Sequence, residues 1–126
     1  MQQIIFDTDV VIHLLRQTDE TVQQLQVLRR QESVFFVSPI VIAEVYAGAF
    51  KKEYEAIEIF FSLCQFAPID AEIAKQAGIY AMQYKKAFHK ISLEDYLLAA
   101  TAKVSRYKLW TYNIKHFPMR DIELIR

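Results

Sequence analysis

Short apolar runs separated by helical patterns are the feature that most constrains the fold of this chain. Short runs of consecutive apolar residues lie within the segments 3–6, 33–38 and 108–112, and shorter candidates lie at 66–69 and 121–125. Consecutive apolar residues indicate strands that are covered on both faces, which is typical of parallel sheets between helices. The sequence therefore predicts an α/β fold with a mainly parallel sheet of four to five strands flanked by helices.

The segments between these runs carry apolar residues at helical spacing. Ser38 followed by Pro39, Asp70 and Ser92 each stand where a helix would begin, since serine and aspartate are preferred N-caps and proline suits the first helical position. We expect helices over residues 9–16, 20–31, 38–50, 51–64, 71–88 and 92–106.

Composition narrows the class of protein. The 126 residues suit one compact domain over 1–126, and 53% hydrophobic residues are enough for a core. Fifteen basic residues balance fifteen acidic ones, so only a local basic patch could attract a polyanion. The candidates for contacts to phosphate groups are Lys51, Lys52, Lys85, Lys86, Lys90 and Lys115.

The sequence also indicates a compartment. Cys64 is the only cysteine, so the chain cannot form an intrachain disulfide. The first residues lack the pattern of a signal peptide, and no apolar run approaches the ~20 residues that span a membrane. We expect a cytoplasmic protein without a membrane segment.

Oxygen-bearing side chains fall at one predicted edge of the sheet. Asp7 directly follows the first strand, Asn113 follows the fourth with Thr111 just before it, and Glu44 and Asp95 lie near the starts of two helices. Apolar residues three and four positions away put Glu44 and Asp95 on inward faces. Because buried carboxylates need compensation, their convergence predicts a site for a hard divalent cation, Mg²⁺ or Mn²⁺.

Each of these residues also has a purely structural interpretation. Asp95 and Ser92 match a capping box, and Glu44 could pair with a basic residue of its helix. Asp9 is well placed to cap the first helix, and Asn113 could be a turn residue. The chain has no HExxH, CxxC, GxSxG or phosphate-binding glycine motif, which argues against zinc, serine-hydrolase and nucleotide-binding chemistry.

Four segments together resemble the motifs of PIN domains, and most closely those of VapC-type toxins of toxin–antitoxin pairs: "IIFDTDVVIHLLR", "VSPIVIAEVYAGA", "ISLEDYLLAATA" and "LWTYNIKHF". The resemblance implies that Asp7, Glu44 and Asp95 are acids of a metal site. Asn113 matches a fourth position of that site, Thr111 a supporting hydroxyl, and Asp9 a polar position near the metal.

The resemblance also implies an activity and partners. We expect an endoribonuclease, a hydrolase that cleaves RNA with a metal-activated water and Mg²⁺ or Mn²⁺ as cofactor. We also expect a homodimer and a small VapB-like antitoxin that blocks the cleft. His13 and His116 stand where many relatives carry acids, and this leaves the number of bound metal ions open.

Other classes of protein share parts of the pattern. "IIFDTDVV" matches the haloacid-dehalogenase phosphatases, in which Asp7 would be the nucleophile and Asp9 the general acid. A phosphoacceptor receiver module would use Asp70 as its acceptor. A PIN-like fold that only binds a partner is a third alternative, and the intact set of acids argues against it.

Overall fold

The computed structural model describes residues 1–125 and contains one parallel sheet, with the strand order β3-β2-β1-β4-β5. The strands are β1 (Gln2–Phe6), β2 (Ser33–Val37), β3 (Gln65–Phe66), β4 (Lys108–Trp110) and β5 (Leu124–Ile125). The helices are α1 (Thr8–Leu15), α2 (Asp19–Arg30), α3 (Pro39–Ala47), α4 (Tyr54–Ser62), α5 (Ala71–Tyr84) and α6 (Leu93–Ser105). This confirms the predicted α/β class.

The central strand β1 pairs with both β2 and β4, and its residues Ile4 and Ile5 are completely buried. The chain first adds β2 and β3 on one side of β1 and then crosses to add β4 and β5 on the other. Because the crossovers are right-handed, the helices that precede β3 in the chain cover one face of the sheet, and the helices that follow β3 cover the other. This change of direction also opens a crevice at the carboxyl ends of β1 and β4, where open α/β sheets bind ligands.

Three predicted N-caps are confirmed by hydrogen bonds from backbone amides. Ser38 Oγ accepts from Ile40 N at 3.2 Å, and Asp70 Oδ1 accepts from Ile73 N at 2.9 Å. At the start of α6, Ser92 Oγ accepts from Asp95 N at 3.2 Å, which is half of the predicted capping box.

The predicted cap of the first helix is wrong. We expected Asp9 at this position, but Asp7 is the N-cap of α1 and its carboxylate accepts from Thr8 N at 2.7 Å. Asp7 has extended backbone angles because it continues from β1, whereas Asp9 already lies inside the first turn of α1. The strand therefore passes into the helix two residues earlier than the sequence pattern indicated.

Other boundaries also differ. The helix expected over 51–64 is divided into a 3₁₀ turn at Lys51–Glu53 and α4. The third strand covers Gln65–Phe66 rather than the predicted 66–69. The last hydrogen bond on this side runs from Ala67 N to Val37 O, and Pro68 has no N–H with which to extend the pairing further. The helix expected to reach residue 88 ends at Tyr84. None of the helices within residues 1–125 is long and apolar enough to cross a membrane.

Candidate active site

Asp7 lies at the point where the strand order changes direction, between the ends of β1 and β4. Its backbone N–H donates to Trp110 O at 2.9 Å, which fixes it to the end of β4. One carboxylate oxygen accepts from Thr8 N, and the other accepts from Thr111 Oγ1, both at 2.7 Å. The residue is only 8% exposed.

Burial raises the pKa of Asp7 to about 6 from an ordinary 3.8. The negative charges of Asp9 and Asp95 raise it further, while the hydrogen bonds from Thr111 and Thr8 lower it. The unbound site therefore holds a carboxylate whose charge is incompletely compensated, as expected for a residue that receives a cation.

Thr111 and Asp9 connect this strand end to the turn after β4. Thr111 is fully buried, and its hydroxyl donates to Asp7 while accepting from Asn113 N at 2.9 Å. Asp9 Oδ2 accepts from Tyr112 N at 3.1 Å. Burial raises the pKa of Asp9, and the backbone hydrogen bonds from Val10 and Tyr112 oppose this rise. Both residues position the turn that carries Asn113.

Glu44 is exposed, which corrects the prediction that it lies on an inward face of its helix. The buried stripe of α3 is formed by Val41 and Val45 instead. Glu44 Oε1 accepts from Thr8 Oγ1 at 2.7 Å, so it approaches the site through the residue next to Asp7. Two of the neighbours that suggested an apolar face, Ala47 and Gly48, are themselves exposed and too small to cover the Glu44 side chain.

Asp95 is both a helix cap and a residue of the site. Its Oδ2 accepts from Ser92 N at 3.1 Å, which completes the capping box, and lies 3.0 Å from His116 Nδ1. The Asp95 side chain is 19% exposed, so its predicted inward position is confirmed. The same imidazole nitrogen lies 3.0 Å from Asn113 Nδ2.

The structure thus brings most of the predicted residues together through a continuous series of contacts. The series runs through Asp7, Thr111, Asn113, His116 and Asp95. Within residues 1–125, no three His, Cys, Asp or Glu side chains are already arranged as a metal site. The oxygen-rich donor set nevertheless fits Mg²⁺ or Mn²⁺, because a cation would compensate the charge on the buried Asp7.

Sequence reasoning missed two members of this network. Thr8 gave no signal, because a threonine between two aspartates is an ordinary helix start. His116 stood out only as a departure from the family pattern. His13, the other histidine considered, has its Nδ1 3.0 Å from Thr18 Oγ1 and packs edge-on against Tyr112.

The structure argues against two of the alternatives. A phosphatase needs a further acid pair at the catalytic edge, but Asp121 binds Lys103 at 3.1 Å and lies in a cavity that also contains Gln2, the first residue of β1. That cavity is at the opposite end of the sheet from Asp7. A receiver would need its acceptor Asp70 beside Asp7, but Asp70 follows the edge strand β3 and is separated from β1 by β2.

Comparison with known proteins agrees with this geometry. The PIN domain family matches residues 4–119. The chain therefore belongs to the PIN-domain family. It is 33% identical over 115 residues to Ribonuclease VapC19 of Mycobacterium tuberculosis, an alignment that covers 91% of this chain and 92% of the relative. Within its family the chain is thus a VapC-type member.

Solved structures show the same fold. VapBC2 from Rickettsia felis, bound to a DNA fragment from the VapBC2 promoter, aligns with a TM-score of 0.86 and 21% identity, covering 98% of each chain. A toxin–antitoxin complex from Klebsiella pneumoniae aligns with a TM-score of 0.79 and 25% identity, covering 98% of this chain and 96% of the other. The predicted fold is confirmed along nearly the full length.

Proposed function

We propose that this chain is a metal-dependent endoribonuclease and the toxin of a toxin–antitoxin pair. The observation that carries the proposal is the buried Asp7 at the change of strand direction, with Asp95 near enough to raise its pKa. The VapC ribonucleases among the relatives support RNA as the substrate. The same edge of the sheet is where a phosphodiester would have to lie.

Each residue of the site has a distinct proposed role. Asp7 and Asp95 would hold the cation, Glu44 would hold a water that the cation coordinates, and Asn113 would orient a second water. Thr111 holds the Asp7 carboxylate at a fixed angle through its hydrogen bond. When Mg²⁺ or Mn²⁺ is bound, it supplies an acidified water and offsets negative charge on the phosphate.

Hydrolysis of a single-stranded RNA by the purified chain tests this proposal. Cleavage should require Mg²⁺ or Mn²⁺, stop in EDTA, and be lost in Asp7→Asn. Asp70→Asn is the matched control, because it makes the same chemical change at an exposed N-cap where asparagine also caps well. Full activity of Asp7→Asn, or full activity in EDTA, would reject the metal-site assignment.

A VapB-like antitoxin would cover the cleft through neighbouring aromatic residues. Tyr46 packs against Tyr54 and Phe61 with ring centres 5.3 and 6.4 Å apart, and Phe50, which precedes the 3₁₀ turn that leads into α4, is 72% exposed. Phe61 is partly buried, so Tyr54 and Phe50 are the better contacts for a partner helix.

Co-purification with the product of a neighbouring gene tests the antitoxin. Phe50→Ala and Tyr54→Ala should weaken the complex, whereas Met82→Ala, an exposed apolar residue of α5, should not. Equal retention of all three folded variants would remove this surface from the interface. The homodimer stays a prediction, which sedimentation of the purified chain tests.

A further inference from the structure

The side chain of Tyr112 is oriented in the opposite way from most surface tyrosines. A surface tyrosine usually buries its ring and turns its hydroxyl to water. The hydroxyl of Tyr112 instead lies 2.6 Å from the hydroxyl oxygen of Thr21, a fully buried residue in the first turn of α2. Tyr112 is nevertheless 43% exposed. Its polar tip is therefore satisfied inside the protein, while apolar surface of the residue stays in contact with water.

Three contacts hold Tyr112 in this orientation. Its backbone N–H donates to Asp9 Oδ2 at 3.1 Å, and its hydroxyl is bonded to Thr21. The imidazole of His13 packs against the ring at an interplanar angle of 86°, with ring centres 5.3 Å apart, and a perpendicular neighbour covers at most one face of a ring. Because the ring is already fixed, a ligand that binds to it does not bear the entropy cost of ordering it.

This fixed ring is next to the catalytic groups of the proposed site. Tyr112 lies between Thr111, whose hydroxyl donates to Asp7, and Asn113. Adjacent Cα atoms are about 3.8 Å apart, so the ring is within the reach of a nucleotide whose phosphate is bound at Asp7. Unpaired bases of single-stranded RNA stack on aromatic side chains, whereas the bases of a duplex are already stacked on one another.

Electrostatics at this edge of the sheet favours a base over a phosphate as the group that contacts Tyr112. The carboxylates of Asp7, Asp9 and Asp95 are close enough for the charges of the last two to raise the pKa of Asp7. They repel a phosphate until a cation is bound. A base is uncharged, so its stacking on a tyrosine ring supplies affinity that these carboxylates do not oppose.

We propose that Tyr112 is a substrate-binding residue that stacks on an unpaired RNA base beside the phosphodiester to be cleaved. This inference rests on the proposed function and makes its substrate more specific, because the RNA must be single-stranded at that base. The ring itself contacts the base, and the hydrogen bond to Thr21 positions the ring.

Three substitutions separate stacking from structural support. Tyr112→Leu removes the ring, Tyr112→Phe keeps the ring without its hydroxyl, and Thr21→Val removes the same hydrogen bond from the other side. Phe88→Leu is the matched control, because Phe88 is 38% exposed and lines a cavity with Asp121, which lies away from the site.

Steady-state cleavage of single-stranded RNA by these variants gives the first test. The KM of Tyr112→Leu should rise by about 10-fold or more with little change in kcat, since stacking contributes to RNA binding. The KM of Tyr112→Phe, Thr21→Val and Phe88→Leu should stay close to that of the wild type. If Tyr112→Phe and Thr21→Val raise KM as much as Tyr112→Leu, or if Tyr112→Leu lowers kcat alone, the residue only supports the turn and the proposal is overturned.

Fluorescence of 2-aminopurine reports the stacking directly. This base analogue is placed in turn on each side of the cleavage position of a single-stranded RNA, which is mixed with the non-cleaving Asp7→Asn chain. Its fluorescence at one position should fall when Asp7→Asn is combined with Tyr112→Phe, as with Asp7→Asn alone, and should not fall when it is combined with Tyr112→Leu. An equal fall with Tyr112→Leu would overturn the proposal.

The outcomes distinguish this inference from the proposed function. Metal-dependent cleavage with an unchanged KM in Tyr112→Leu would overturn the stacking role and leave the nuclease assignment intact. Loss of the co-purified antitoxin in Tyr112→Leu, with RNA binding unchanged, would assign the ring to the protein partner instead. A wild-type chain that neither binds nor cleaves single-stranded RNA would remove both the proposed function and this inference.

Discussion

Replacing Asp7 by asparagine should stabilise the metal-free chain at neutral pH while removing the proposed nuclease activity. Asparagine can still accept from Thr8 N through its oxygen, and its amide can donate to Thr111 Oγ1. The variant therefore keeps a hydrogen bond to each partner and loses the buried charge, although the bond to Thr111 reverses direction and the Thr111 hydroxyl proton loses its present acceptor.

The raised pKa sets the magnitude of this effect. The Asp7 carboxyl group has a pKa of about 6 in the folded chain and 3.8 in the unfolded chain. Its ionisation in the folded chain therefore lowers the free energy of unfolding by about 3 kcal/mol. Allowing for weaker hydrogen bonds to an amide, we expect Asp7→Asn to raise the free energy of unfolding by about 1–3 kcal/mol at pH 7.5.

The sign of the pH dependence follows from proton binding. Between pH 4 and about 6, folded Asp7 keeps a proton that the unfolded chain has lost, so wild-type stability falls as the pH rises through this window. Below this pH window Asp7 is protonated in both the folded and the unfolded chain, and the stability that the bound proton contributes is fully present. Asp7→Asn lacks this slope. The raised pKa of Asp9 is common to both proteins and cancels in the difference.

Urea denaturation in EDTA at several pH values between 4 and 7.5 measures both the difference and its slope. Asp70→Asn serves again as the control and should follow the wild type. Saturating Mn²⁺ should reverse the order, because an ion that binds only the folded wild type stabilises it. A variant that is less stable than the wild type at pH 7.5 in EDTA, with the same pH slope, would refute the argument.

Three further changes separate structural from chemical roles. Asp95→Asn should keep its cap and its stability within ~1 kcal/mol but lose RNA cleavage and Mn²⁺ binding; retained cleavage would return it to a purely structural role. Thr111→Val removes the hydroxyl that donates to Asp7, so urea denaturation should show a loss of about 1–3 kcal/mol and the pKa of Asp7 should rise further, which titration followed by NMR detects. Tyr80→Phe breaks the 2.8 Å hydrogen bond to Asp121 and should cost about 1 kcal/mol with cleavage unchanged, since that pair is remote from the site.

The sequence predicted the fold well because its strongest signals are local. Apolar runs identified β1, β2 and β4, and polar residues before helical patterns identified three N-caps. The parallel arrangement followed from runs without alternation. The short strand β3 begins one residue earlier and ends three residues earlier than predicted, because the effect of Pro68 depends on which partner strand lies beside it.

The site was predicted less completely, because its details depend on contacts between distant segments. Topology brings Asp7, Asp95 and Asn113 to one edge, and this much could be read from the order of strands and helices. The exposure of Glu44 could not be predicted, because the alanine and glycine near it count as apolar residues but are too small to cover its side chain. The position of His116 depends on a 3₁₀ turn that no residue pattern in the sequence predicted.

The double use of Asp95 has a consequence for local motion. One oxygen closes the first turn of α6 and also faces the imidazole of His116. When that turn frays, the cap and the contact to His116 are lost together, so opening of the helix end and disassembly of the site are one event. Amide hydrogen exchange at Ser92, whose N–H that oxygen accepts, therefore reports how often the site comes apart.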